Sequence, residues 1–141
     1  MTTTAWAHLP NAAHIDRVIA SLKKNPEKWA TAWYAAQGAA RDAARSKAWI
    51  VARDAARYAV RDAARDAAWG VSRDAAQSVS RGVALDAAWY VSRSATLALI
   101  AWDDCAYMLE LPEDALKLLR AVGNEQAILL SAAANILKET S

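Results

Sequence analysis

Polar and apolar positions recur every four residues from 29 to 97. Position one of the tetrad is mostly Trp or Arg: Trp29, Trp33, Trp49, Trp69 and Trp89, with Arg41, Arg45, Arg53, Arg57, Arg61, Arg65, Arg73, Arg81 and Arg93 between them. Position two is most often Asp, as at Asp42, Asp54, Asp62, Asp66, Asp74 and Asp86. From Arg41 to Thr96 positions three and four are almost all Ala, Val or Ser, Lys47 excepted. A coarser period of 20 places Trp29, Trp49, Trp69 and Trp89 in equivalent slots. Ala and Arg head the helix propensities. Asp three residues before Arg, as in Asp62 and Arg65, adds a favourable pair on the helix surface. No alternation of two supports a strand. The pattern predicts helix throughout, with Gly38, Gly70 and Gly82 as candidate bends.

A period of four exceeds the helical 3.6, so each tetrad advances about 40° around a straight axis. Over 20 residues the drift is about 200°, and successive Trp slots would point to opposite sides. Either the helices supercoil right-handedly or the array is cut into shorter helices that fold back. The second is expected, because a short chain buries Ala only by packing helix on helix. The flanks differ from the array. In 1–28, Asn11 is a plausible N-cap before Ile15, Val18, Ile19 and Leu22, and Asn25-Pro26-Glu27 reads as a second helix start. In 98–141, Leu111-Pro112-Glu113-Asp114 opens a helix carrying Leu116, Leu118, Leu119 and Val122, and Gly123 is a natural stop. Asn124 then caps a last helix with Ile128, Leu129, Ala132, Ile136 and Leu137 on its buried side. The expected fold is all-α and a single domain over 1–141: an antiparallel helical array, Ala-rich in the middle, with amphipathic C-terminal capping helices.

Composition changes this picture in two ways. With seven Trp and no Phe, core volume must come from Trp, Leu and close backbone approach. The net charge of +2 is too small for a generic nucleic-acid binder, yet it is unevenly spread. Residues 41–94 hold ten Lys/Arg against six Asp, or +4; residues 100–141 hold three against seven Asp/Glu, or −4. A basic middle and an acidic tail can attract each other within one chain or between two. Cys105 is the single cysteine, which suits a reducing compartment. The opening residues lack a basic and then apolar leader, and no apolar run nears the roughly 20 residues of a membrane span. The expectation is a cytoplasmic location in a bacterial host, with no membrane association.

With its RDAA and VSRDAA tetrads, the chain resembles a loose group of Ala/Arg/Asp/Trp-rich helical repeat proteins of phages, prophages and bacteria. His8-Leu9-Pro10-Asn11 before the array and Ala101-Trp102-Asp103-Asp104-Cys105 after it share in the resemblance. It covers nearly the whole chain. It implies a phage or mobile-element context and no particular mechanism.

The Trp/Arg row is the loudest chemical feature. Arg binds phosphate through its fork, and Trp stacks on bases or cations. Against this, Trp fills gaps between Ala-lined helices, and Arg pairs with the interleaved Asp. Asp103-Asp104 suits a hard cation by type, but neighbours about 100° apart on a helix do not chelate alone. The plainer expectation pairs one carboxylate with an Arg of the array and leaves the other solvated. His8 and His14 lack metal-site spacing. Cys105 follows two carboxylates, which would raise its pKa. Ser72, Ser80 and Ser92 occupy equivalent slots and suit packing. No P-loop, GxGxxG or GxSxG is present.

The expectation is therefore a non-enzymatic interaction protein with no cofactor or metal, binding a host or defence protein through a Trp/Arg helical face. A nucleotide or nucleic-acid phosphate module is the alternative, and a self-assembling homo-oligomer a further one. The candidate binding residues are Trp49, Arg53, Arg57, Arg61, Arg65, Trp69, Arg73, Arg81, Trp89, Arg93, Trp102, Asp103 and Asp104.

Overall fold

A computed structural model describes residues 4–35, 39–57, 59–77 and 83–140, with side chains apart from those of 33–35, 39–45, 59–60 and 83–84. The class is all-α. Helices α1 (Ala12–Lys24) and α2 (Pro26–Ala35) are followed by α3 (Ala39–Ala55), α4 (Ala59–Ala76) and α5 (Val83–Ala101). A 3₁₀ turn (Ala106–Glu110) then leads to α6 (Glu113–Ala121) and α7 (Glu125–Thr140).

The tetrad array is thus divided among α2, α3, α4 and α5. Its position-four residues form the buried seam of the last three. Ala48, Ala52 and Ala56 are fully buried at the C-terminal end of α3; Ala64, Ala68, Ser72 and Ala76 are buried along α4; Ala88, Ser92, Thr96 and Ile100 along α5. A stripe drifting about 40° per tetrad stays within a buried face for three or four tetrads and no longer. Helices of 17, 18 and 19 residues match that limit. The seam also keeps its phase across the breaks, since all eleven positions differ by multiples of four. Small side chains on it let the helix axes approach closely.

One of the three candidate bends is not used as one. Gly70 lies inside α4, where it makes no turn. The break after α3 comes at Ala56-Arg57, which contains no glycine. Gly38 and Gly82 lie outside the described residues.

Two helices form the centre. Helix α5 packs against α1, α2, α3, α4 and α7. Helix α7 packs against α1, α2, α3, α5, α6 and the 3₁₀ turn, so it is an interior element and not a cap on the end of an array. Leu129, Leu130, Ala133, Ala134, Ile136 and Leu137 are all buried, wrapping the apolar surface most of the way round the helix. Helix α6 fits the capping description better. It buries Leu116 but leaves Leu118 and Val122 exposed.

The helix ends have identifiable chemistry. Gly123 adopts a φ of 80°, and its N–H donates to the Arg120 carbonyl while that of Asn124 donates to Leu119, closing α6 in a Schellman motif. The Asn124 side chain accepts from the Ala127 N–H at 2.9 Å, capping α7 as expected. Asn11 differs. Its side chain makes no cap hydrogen bond to α1. It is buried and donates to the carbonyls of Leu99 and Trp102, both at 2.9 Å. These carbonyls at the end of α5 have no donor further along the helix, so Asn11 satisfies groups that burial would otherwise strand.

Candidate functional site

The period-20 tryptophans meet in space. Trp49 of α3 and Trp69 of α4 have ring centroids 5.6 Å apart, and Trp49 lies 5.5 Å from Tyr90 of α5. The Trp89 indole N–H donates to the Trp69 carbonyl at 3.1 Å, and that of Trp49 to the Ser94 hydroxyl at 3.0 Å. The breaks between helices produce this convergence: on one straight helix these slots would face opposite sides. All three rings are half-buried against the core. Trp29, the first of the series, is fully buried and donates to the Ser21 hydroxyl at 3.1 Å.

Arg93 is set among these rings. Its guanidinium carbon lies 3.7 Å from the Trp89 centroid and 5.6, 5.9 and 5.6 Å from Trp49, Trp69 and Tyr90. Arg73 approaches the same Trp89 ring at 4.6 Å, and Arg65 lies 5.3 Å from Trp69. Cation–π attraction to the indole faces holds these groups. Burial lowers the Arg93 pKa from its ordinary value; Tyr90 and Asp86 oppose the shift, and the charge of Arg73 adds to it. Two buried polar atoms here, Trp69 Nε1 and Arg93 Nε, have no hydrogen-bond partner, nor does the neighbouring seam hydroxyl of Ser72.

The other row members divide into paired and unpaired. Arg65 pairs with Asp62 and Asp66. Arg61 pairs with Asp103 at 2.9 Å and also donates to the Ile100 carbonyl. Asp104 is exposed, so one carboxylate of the Asp pair engages the array while the other faces solvent. The basic middle and the acidic tail therefore meet at Arg61 and Asp103 inside one chain. Arg53 and Arg73 are exposed, and among the described residues neither they nor Arg93 has a carboxylate in ion-pair range. Arg57 is exposed between α3 and α4. Trp102 is half-buried, with its carbonyl held by Asn11. Arg81 lies outside the described residues, as does Ser80.

The remaining candidates are placed as follows. Cys105 is buried, its thiol donates to the Ala98 carbonyl at 3.4 Å, and burial together with the Asp104 charge pushes its pKa up to about 12. A thiol that stays protonated at neutral pH is a poor nucleophile. Ser92 is buried and bonds to the Trp89 carbonyl. No group of three His, Cys, Asp or Glu gathers at metal distance among the described residues. No described helix is long and apolar enough to cross a membrane.

Three participants escaped the sequence reading. Tyr90 and Ser94 are off the Trp/Arg row, and only the fold brings them to Trp49. Ile50 carried a visible signal: it is the one large aliphatic residue in the position-two slots, where Asp is the commonest residue, and it is 63% exposed. Val51 and Val71, both in position-three slots, are also exposed. No family model, no curated protein and no solved structure matches this chain.

Proposed function

We propose that this chain is a non-enzymatic protein-binding module, and that α3 carries the docking surface around Ile50 and Arg53. The observation that carries this reading is the exposed Ile50, a large aliphatic side chain in a position-two slot that elsewhere holds Asp, Gly, Ser, Tyr or Ala. A large aliphatic side chain facing water adds little to the fold and gains further free energy when a partner covers it. Arg53, three residues on, lies on the same side of the helix and has no carboxylate partner among the described residues. Val51 widens the apolar centre. Behind them Trp49 is pinned by Ser94, Trp69 and Tyr90, so the helix carrying the surface is held rigid.

An apolar centre beside an unpaired guanidinium fits a protein partner with an acidic patch next to a hydrophobic one. The resemblance to phage and prophage repeat proteins extends the proposal to a host or defence protein as that partner. Self-association is the weaker reading, because Asp103 and Glu110 of the acidic tail are already paired with Arg61 and Arg17 of the same chain.

Affinity capture from bacterial lysate tests the surface. The wild-type chain is compared with an Ile50→Asp, Arg53→Glu double variant and with Lys117→Glu on α6 as a surface control. The expected result is a nuclease-resistant protein partner retained by the control and depleted at least tenfold by the double variant. Equal recovery on all three baits would rule out α3 as the docking surface.

A further inference from the structure

We infer that Arg73 and Arg93, stacked on the Trp89 indole, form a binding site for a phosphate group. The site lies on α4 and α5, and the inference does not rest on the protein-docking surface proposed for α3.

Three observations converge. The first is the sharing of one ring by two cations, at 4.6 and 3.7 Å from its centroid. The two guanidinium carbons can be no farther apart than those distances combined, and the charge of Arg73 reaches Arg93; a tetrahedral oxyanion beside the ring can accept from both forks. Two like charges held this close repel each other, and a bound anion removes the repulsion.

The second is the absence of a protein counter-ion. Arg17, Arg61, Arg65 and Arg120 each pair with a carboxylate. Among the described residues Arg73 and Arg93 have no such partner. Asp86 is the carboxylate whose charge reaches Arg93, and it is exposed and outside ion-pair distance. Arg93 is partly buried among four aromatic rings, where an unpaired charge is costly.

The third is the Arg93 Nε–H, buried with no acceptor. The buried Nε–H is out of a ligand's reach, but the terminal nitrogens of Arg93 are not fully covered, and beside the exposed guanidinium of Arg73 they are complementary to a doubly charged oxyanion. A carboxylate carries one charge and satisfies one fork; a phosphomonoester has the charge and the oxygens for two.

Titration followed by indole N–H signals in two-dimensional NMR tests the site, using inorganic phosphate and then AMP as probes at constant ionic strength. The expected result is a saturable shift of the Trp89 signal, weakened at least tenfold by Arg73→Gln. Arg73 is exposed, so this variant keeps the fold; Arg93→Gln should abolish the shift, provided its spectrum remains dispersed. Arg53→Gln and Ile50→Asp should leave the titration unchanged, which separates this site from the α3 surface. AMP binding at least tenfold more tightly than phosphate assigns the site to nucleotides, whereas equal affinities assign it to the phosphoryl group alone. A Trp89 response reproduced by sodium chloride at the same ionic strength, or an Arg73→Gln variant with wild-type affinity, would overturn the inference.

Discussion

The array helices α3 and α4 and the C-terminal helix α7 solve the burial problem in opposite ways. In α3 and α4 the buried seam is Ala and Ser, and the large side chains stand at its rim. In α7 the buried positions include Leu129, Leu130, Ile136 and Leu137. Burial of an aliphatic side chain contributes roughly 1.5–3 kcal/mol, whereas an Ala methyl contributes on the order of a single CH₂. The array therefore relies on close axis approach and on its rim, where Trp49, Trp69, Trp89 and Arg93 interlock through ring contacts and two indole hydrogen bonds. Aromatic and cationic chemistry is thus kept near the surface, where a ligand can reach it. The α7 region holds the interior, and its chemistry is apolar.

Removing volume from α7 should have the largest effect. Leu130 is fully buried, and Leu130→Ala leaves a cavity as well as losing transfer energy. The expected loss is about 2–5 kcal/mol, read from the urea midpoint. A loss under about 1 kcal/mol would break the comparison by showing that α7 is not the interior support its burial indicates.

Adding volume to the array is the converse and should cost less. Ala68 is fully buried on the α4 seam. Ala68→Leu forces the axes apart and should destabilise by about 1–3 kcal/mol. It should also alter the Trp69 and Trp89 indole environments in near-ultraviolet circular dichroism. A stable variant with an unchanged aromatic spectrum would mean that the seam has slack and that small residues there are not required.

The smallest effect concerns the polar tie between α6 and α7. Burial raises the Glu113 pKa, but hydrogen bonds from Arg120 and Asn135, with the charges of Arg120 and Lys138, outweigh it and leave the carboxyl below its ordinary value. A lowered folded pKa means that the stabilisation is present above the unfolded value near 4.5 and is lost as pH falls through the folded value. Because Glu113 is about half exposed, the contribution is small. Glu113→Gln should flatten part of the acid limb of the stability curve below about pH 4.5 and leave the Trp signals unchanged. An identical acid limb in both proteins would remove Glu113 as a pH-sensitive tie.

Much of the local architecture was legible in the residues. The 3.6-versus-4 mismatch required the array to break or supercoil, and it breaks. The Gly123 stop, the Asn124 cap and the start at Pro26 all lie in local backbone chemistry and were readable. The position of the first described break was not. Gly70 has the conformational freedom for a bend, yet it sits in a helix whose seam residues on either side, Ala68 and Ser72, are buried together. Helix continuity there follows from packing and overrides local propensity. Asn11 holds the N-cap position of α1 as its sequence context indicates, but the role of its side chain was not legible: its partners, Leu99 and Trp102, are about ninety positions away, and no local pattern marks them.

The candidate site follows the same division. Residue identity alone marked the Trp/Arg row, the interleaved Asp and the serine slots, because a repeat exposes its own periodicity. It also determined the all-α class, since Ala, Arg and Asp on a four-residue grid satisfy helices and no other regular structure. Only the tertiary structure decided which arginines are neutralised: Arg61 by Asp103 and Arg65 by its own helix, with Arg53, Arg73 and Arg93 left unpaired. It also brought Trp49, Trp69, Trp89 and Tyr90 around one guanidinium. The physical reason is range. Helix propensity and spacing act over a few residues, whereas ion pairing and ring stacking depend on which helix faces meet, and that is settled by burial of the whole chain.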